Sequence, residues 1–156
     1  MRNLKLIPLV FAGLMLVSCQ GRVAEPVLAS ANVAPPVPGL ARIYFYRDWE
    51  PYESLSRPLI YLNDAAADVS EPGGISFRDV PAGEYHISVD TDGTYPHQFK
   101  GVVLRAGDIR YVKIESLRNW TRRGKAWERD TFVVELVPER QAQSEIADKR
   151  YIPGAS

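Results

Sequence analysis

The residue with the clearest capacity for covalent chemistry in this 156-residue chain is its single cysteine, Cys19. It follows Ser18 and an apolar run at residues 6–17, and Arg2 and Lys5 make the preceding segment positive. A positive start, a short apolar stretch and a small residue before the cleavage point are typical of a secretory signal peptide. A membrane-spanning helix needs roughly 20 apolar residues, more than this run supplies. The sequence therefore predicts export and not a permanent transmembrane anchor.

Residues 16–19, Leu-Val-Ser-Cys, resemble the lipobox of bacterial lipoproteins. The resemblance implies that Cys19 Sγ receives a diacylglyceryl group, that the chain is cut before Cys19, and that the new amine is acylated. Three acyl chains hold a protein on a bilayer far more firmly than one. Gln20 stands where an aspartate would favour the inner membrane, so the periplasmic leaflet of an outer membrane is favoured. An ordinary signal peptide with an incidental cysteine, or an uncleaved anchor, is the alternative.

The remaining residues that could do chemistry do not assemble into a motif. His86 and His97 have no clear third partner for a zinc site. Residues 90–93, Asp-Thr-Asp-Gly, resemble the opening of a calcium loop, but the glycine and glutamate that an EF-hand requires further on are missing, which favours a hairpin turn. The chain has neither a Gly-x-Ser-x-Gly elbow nor a phosphate-binding glycine loop. We therefore predict a non-enzymatic protein without a catalytic residue, metal or cofactor.

Two groups of residues are candidate binding surfaces, and the first is aromatic. Tyr44 and Tyr46 alternate with Ile43 and Phe45, and Trp49 follows them. In a strand this alternation places the two tyrosines on one face. If that face is exposed, it predicts a platform for a sugar ring or a protein. The alternative is that one face of the strand is covered by a second sheet and the other by a C-terminal helix.

The second candidate surface is the connection at residues 116–130. It carries five basic residues against two acidic ones, a local net charge of +3. Long loops without structure of their own are uncommon and often functional, and tryptophan and arginine are enriched where binding energy concentrates. The alternative is a hairpin whose tryptophans cover the edge of the core. The residues predicted to contact a partner here are Trp120, Arg122, Arg123, Lys125 and Trp127.

These residues must be positioned by strands, because strand patterns fill the body of the chain. Short apolar or alternating runs are separated by Gly, Pro and Asp turns, and in residues 84–90 the alternation is clean. Such a series predicts an all-β fold, an antiparallel β-sandwich of about seven strands, transthyretin-like or immunoglobulin-like. The predicted strands are residues 40–47, 58–62, 75–80, 84–90, 98–104 (with Gly101 as a possible bulge), 109–115 and 131–137.

The predicted organisation has four parts. Residues 1–18 form the signal peptide, and residues 19–38 form the lipidated N-terminus and a Pro/Ala-rich tether in the polyproline regime. Residues 39–138 form the β-sandwich domain. Residues 139–156 form the C-terminal helix and tail, with helix-forming residues and a narrow apolar stripe over residues 139–149.

Four segments, in their order and spacing, resemble the small bacterial lipoproteins catalogued as domain of unknown function 2846. They are residues 44–47 (Tyr-Phe-Tyr-Arg), 80–85 (Val-Pro-Ala-Gly-Glu-Tyr), 104–107 (Leu-Arg-Ala-Gly) and 135–138 (Glu-Leu-Val-Pro). The resemblance covers most of the chain from Leu40 to Ile146. It departs from the family at residues 63–65, where Asn-Asp-Ala replaces the usual Asp-Gly turn. It implies a fold and a membrane location, and no activity.

Charge and composition narrow the class of partner. Removing Arg2 and Lys5 with the signal peptide leaves 17 basic against 19 acidic residues, a net charge of about −2. Such a chain has no general attraction for nucleic acid. The sequence predicts a lipid-anchored envelope protein that binds a periplasmic protein partner. Binding of cell-wall glycan through surface aromatic residues is the alternative, and an enzyme of unrecognised type is a third possibility.

Overall fold

The computed structural model describes residues 35–49, 55–90, 98–117, 121–123, 126–128 and 131–153. In this part of the chain two sheets pack face to face over one core, which confirms the predicted β-sandwich with a short C-terminal helix. The elements in chain order are β1 (Leu40–Tyr46), β2 (Leu59–Leu62), β3 (Ala65–Val69), β4 (Gly74–Pro81), β5 (Gly83–Val89), β6 (Phe99–Leu104), β7 (Ile109–Ser116), β8 (Thr121–Arg123), β9 (Ala126–Glu128), β10 (Phe132–Val137), α1 (Glu139–Ile146) and β11 (Arg150–Tyr151).

The larger sheet is mixed, with the strand order β10-β7-β1-β4-β11. Within it β1 pairs in parallel with β7, Arg42 lying opposite Ile109, and β4 pairs in parallel with β11. These two parallel pairs lie in a sandwich whose other ladders are antiparallel, as predicted. A parallel pair requires a long crossover, and the chain between β1 and β7 supplies it by building the second sheet.

The second sheet has the order β3-β2-β5-β6 and is antiparallel throughout. The alternation predicted for β5 is confirmed, since Ile87 and Val89 are buried in the core between the sheets. From the larger sheet Ile43, Phe45 and Val134 face them. Apolar residues from both sheets therefore meet in one layer.

The turn between β2 and β3 explains why asparagine and aspartate occupy residues 63 and 64. Asn63 and Asp64 both have positive φ, 49° and 65°, so they form a two-residue hairpin loop in which Leu62 faces Ala65. Asparagine and aspartate tolerate this left-handed region better than most residues. The Asn63 side chain also accepts a hydrogen bond from His86 N at 2.8 Å and donates one to Glu84 O at 3.3 Å. The turn is thereby fastened to β5.

The helix is shorter than predicted, because the chain leaves it after Ile146 and reaches β11 instead of continuing to residue 149. Ala142 and Ile146 are buried against the outer face of the larger sheet, where they meet Tyr46, Tyr111 and Val137. Residues 139–151 are thus an integral layer of the fold and not a tail. No helix of the described residues is long and apolar enough to cross a membrane.

Candidate functional site

Different segments of the chain lie at the two ends of the sandwich. Residues 35–39 lead into β1 at one end, where Leu40 lies opposite Pro81 and accepts a hydrogen bond from Gly107 N at 2.8 Å. Strand β7 starts at this end, with Ile109 opposite Arg42, and runs to Ser116 at the other end. Eight residues of strand span about 25 Å. The segment that leads from the predicted tether and the segment that follows β7 therefore lie at opposite ends.

The basic segment that follows β7 is built as a hairpin, which is one of the two alternatives that the sequence left open. Leu117 N donates to Thr131 O at 2.9 Å, so the β7–β10 ladder continues one step past Ser116. Strands β8 and β9 then pair antiparallel, with Arg122 opposite Trp127 and Arg123 opposite Ala126. The other two residues of this segment that are predicted to contact a partner, Trp120 and Lys125, lie outside the described residues. Cys19 also lies outside them.

The tyrosines of β1 share the outer face of the larger sheet, and the structure supports the alternative in which the C-terminal helix covers part of that face. Tyr46 is 2% exposed beneath α1, and its hydroxyl donates to Glu145 Oε2 at 3.0 Å. Burial, followed by that hydrogen bond, raises the Tyr46 pKa far above its ordinary value. Tyr44 is half-buried and stacks on Tyr111 with ring centroids 5.2 Å apart. The helix covers the half of the face that contains Tyr46.

An ion pair lies on the outer face of the larger sheet, at the end where residues 35–39 lead into β1. Arg42 is 2% exposed and contacts both oxygens of Asp79, Nε to Oδ1 at 2.7 Å and Nη2 to Oδ2 at 2.8 Å. Its guanidinium also lies 3.8 Å from the ring centroid of Phe77. The hydrogen bond to Asp79 raises the Arg42 pKa, and the same bond lowers that of Asp79. A bidentate pair stacked on a ring is a rigid structural element.

A second charged cluster fastens the helix at the opposite end of this face. Lys113 Nζ lies 2.7 Å from Asp48 Oδ2 and 3.0 Å from Glu145 Oε2, and Lys149 Nζ also binds Asp48. Burial alone would lower the Lys113 pKa, but hydrogen bonds to Asp48 and Glu145 outweigh it and raise the pKa. Burial of Asp48 is likewise outweighed by Lys113 and Lys149, which lower its pKa. With each charge facing an opposite charge, the cluster joins β7 and α1 to the residue that follows α1 and to the chain just past β1.

His86 takes no part in either cluster. His86 lies on the outer face of the second sheet, with its ring 4.4 Å from that of Phe99, and His97 lies outside the described residues. Among the residues that the structure describes, no three His, Cys, Asp or Glu side chains are close enough together to hold a metal ion.

Sequence reasoning missed an apolar strip on β6. Phe99 is 54% and Val103 64% exposed, and Gly101 between them is exposed too. The register of β5 and β6 runs without a shift from Gly83–Leu104 to Ser88–Phe99, so the bulge expected at Gly101 is absent. The alternate spacing of Phe99, Gly101 and Val103 in the sequence indicates that they share one face of a strand. The sequence does not show that this face is uncovered.

No protein-family model matches the chain, and no curated protein matches it either. The resemblance to domain of unknown function 2846 stays a prediction.

Proposed function

We propose that this protein is a non-enzymatic, lipid-anchored envelope protein that presents one end of its β-sandwich to a periplasmic protein partner. The basic hairpin β8–β9 is the principal contact surface in this proposal. This proposal rests on the positions of two segments. The segment that leads from the predicted lipid anchor joins one end of the sandwich, and the hairpin follows β7 at the other end.

This placement suits a soluble partner better than the membrane that holds the anchor. Nineteen tether residues in a polyproline conformation, at about 3.1 Å each, would reach several tens of Å. The sandwich adds about 25 Å between its two ends, by the length of β7. The anchor acts from the periplasmic leaflet of an outer membrane in this proposal, since Gln20 and not aspartate follows Cys19.

The chemistry of the hairpin favours an acidic protein surface. Residues 116–130 carry a local net charge of +3 in a chain that is otherwise slightly acidic. Arginine and tryptophan are enriched among residues that carry binding energy. Complementary charge also speeds association and makes it dependent on ionic strength.

The experiment is a capture of partners from envelope extract by the full-length protein, with two triple variants compared. The first replaces Arg122, Arg123 and Lys125 by serine. The control replaces Arg105, Arg110 and Arg140 by serine, which removes the same charge from exposed positions outside the hairpin. We expect one stoichiometric protein with the native chain and the control, and much weaker capture by the first variant, with the difference growing as salt is lowered.

Equal capture by both variants at every salt concentration would contradict the proposed contact surface. Sedimentation with insoluble peptidoglycan distinguishes the glycan-binding alternative. Retention on peptidoglycan without a stoichiometric protein would contradict the proposal as a whole.

A further inference from the structure

The strip on β6 combines exposed apolar side chains with an open sheet edge. Strand β6 ends the order β3-β2-β5-β6, so within the described residues it pairs on one side only, with β5. Phe99 and Val103 are more than half exposed, and a β-carbon added at Gly101 would have no atom within 4 Å. An exposed, apolar, unpaired strand is a template for pairing with another strand.

The hydrogen bonds of β5 show which backbone groups of β6 face the open edge. His86 N donates to Asn63 Oδ1 at 2.8 Å, and His86 O accepts from Asn63 N at 2.9 Å, so both groups point away from β6. Gly101, the register partner of His86, is therefore not bonded to β5 and directs its N–H and C=O outward. The alternation of an antiparallel ladder gives Phe99 and Val103 the same orientation.

The β6 edge lacks the features that discourage pairing elsewhere in the fold. The β2–β3 ladder has a register shift, β11 is two residues long, and β10 carries the exposed Glu135. Strand β6 is regular, contains no proline, and has Lys100 as its one charge, on the face opposite Phe99. Short edge strands, bulges and charges are the usual means by which proteins block an edge.

The sequence of β6 is also complementary to itself. We propose that two copies of this protein associate through their β6 edges, antiparallel, about a two-fold axis at Gly101. Phe99 of each copy then lies opposite Val103 of the other, and Gly101 lies opposite Gly101. The three outward-facing residues of each strand form three bonded pairs, about six backbone hydrogen bonds in all. The two four-stranded sheets become one continuous sheet, and the arrangement is closed, so it stops at a dimer.

The register of this pairing can be tested with cysteines in the full-length chain, purified in mild detergent and gently oxidised. Bonded antiparallel partners have Cα atoms about 5.5 Å apart, within the range that a disulfide bridges. Gly101→Cys should therefore give a disulfide-linked dimer. The matched control is Val103→Cys on the same strand, since the two copies of residue 103 would lie about 13 Å apart. Leu55→Cys, at a residue 78% exposed and outside β6, controls for random collision.

A mixture of Phe99→Cys and Val103→Cys chains should link across the axis, and peptide mapping should find residue 99 joined to residue 103. Equal linking of the Gly101, Val103 and Leu55 variants, or none by any of them, would overturn the proposal.

Sedimentation velocity of the native chain over a dilution series gives a measurement that needs no cysteine. We expect a dimer that dissociates on dilution, and at least tenfold weaker association for Phe99→Lys and for Val103→Glu. The double variant F99K/V103E places opposite charges across the axis and should restore association to within a few fold. Leu55→Lys should leave it unchanged. A native chain that is monomeric throughout the series, or a double variant weaker than either single one, would count against pairing at this edge. Neither result bears on capture by the basic hairpin.

Discussion

Lys113 and Asp48 form an ion pair, with Nζ and Oδ2 2.7 Å apart, that joins the middle of β7 to the chain just past the end of β1. Glu145 of α1 approaches the same ammonium at 3.0 Å. The side chain of Lys113 is only 15% exposed, so these two carboxylates replace much of its hydration. The position of the helix on the sheet thus depends on a few charges as well as on apolar contact.

Replacing Lys113 by methionine should destabilise the protein at neutral pH. The substitution keeps most of the aliphatic stem but leaves Asp48 and Glu145 without their shared partner. Removing one partner from a half-buried polar group costs about 1–3 kcal/mol. Thermal unfolding should show a melting temperature several degrees lower. Arg140→Met, on an exposed position of α1, is the control and should change it little. An equal loss in both variants would contradict a specific role for Lys113.

The same cluster should limit stability in acid. The pKa values of Asp48 and Glu145 are lowered in the folded protein, and so is that of Asp79 in its separate pair with Arg42. For Glu145 burial opposes the change, but hydrogen bonds to Gln141, Lys113 and Tyr46 outweigh it. A carboxyl with a lowered folded pKa contributes stability above its unfolded pKa, about 4, and loses it as the pH falls through the folded value.

The melting temperature of the native chain should accordingly fall steeply below about pH 4. The curve of Lys113→Met should fall less steeply there, because Asp48 and Glu145 each lose one of the groups that lower their pKa values in the folded protein. The contribution of Lys113 depends on pH in the opposite direction, because its pKa is raised in the folded protein. Its ammonium group stabilises the fold below about pH 10.4, and this stability is lost as the pH rises through the folded pKa. Parallel native and variant curves in acid would contradict the assignment.

Truncation after Pro138 should lower the free energy of unfolding substantially, although it removes only a short segment. It deletes α1 and β11, and uncovers Tyr46, Ile75 and Tyr111. Burying the Ile146 side chain alone is worth about 1.5–3 kcal/mol. We expect a lower melting temperature and less protection of β4 amides from hydrogen exchange. A chain ending at Pro153 is the control, and a melting temperature unchanged by the longer truncation would show that the helix contributes nothing.

The two residues of the β2–β3 turn should respond with opposite signs to glycine. Asp64→Gly creates the Asn-Gly pair that this type of turn prefers and removes the side chain from a residue with φ of 65°, so a gain of about 0.5–1 kcal/mol is expected. Asn63→Gly also suits the backbone but loses the hydrogen bonds to His86 N and Glu84 O. Chemical denaturation measures both, and a gain for Asn63→Gly as large as that for Asp64→Gly would contradict the role of its side chain.

Replacing Cys19→Ala should abolish labelling by a fatty-acid probe and cleavage before residue 19. The reason is the positive start, short apolar run and Ser18-Cys19 junction of the sequence. Ser18→Ala keeps a small residue before the cleavage point and should be labelled like the native chain. Equal labelling of Cys19→Ala would contradict the lipid anchor on which the proposed function depends.

The sequence predicted the strands whose side chains alternate and missed those whose composition is weak for strands. Strand β5 was predicted within one residue at each end, since Tyr85, Ile87 and Val89 mark its inner face. Strand β3 begins with three alanines, which have low strand propensity, and is stabilised mainly by its pairing with β2. Strand β11 has two residues, too few for any periodicity.

The candidate surfaces were harder to predict because exposure is a tertiary property. The pattern of β1 correctly put Tyr44 and Tyr46 on one face, yet only the packing of α1 decides that Tyr46 is buried. The pattern of β6 likewise predicts which of its residues share a face, but not that the strand lies at the edge of a sheet. The partners of Lys113 come from residues 48 and 145, which no local pattern connects.

The position of β1 at the centre of the larger sheet has a consequence for the order in which this chain folds. Its neighbours are β4 and β7, and Arg42 meets Ile109, which follows it by 67 residues. Because the ribosome makes β1 first, its β4 edge stays unpaired until Pro81 has been made, and its β7 edge until most of the sandwich has been synthesised. Pairing over such a separation is slow, since a long loop must close before any contact forms. Until then Ile43 and Phe45 need shielding from other chains, so the nascent protein should be a frequent client of holding chaperones.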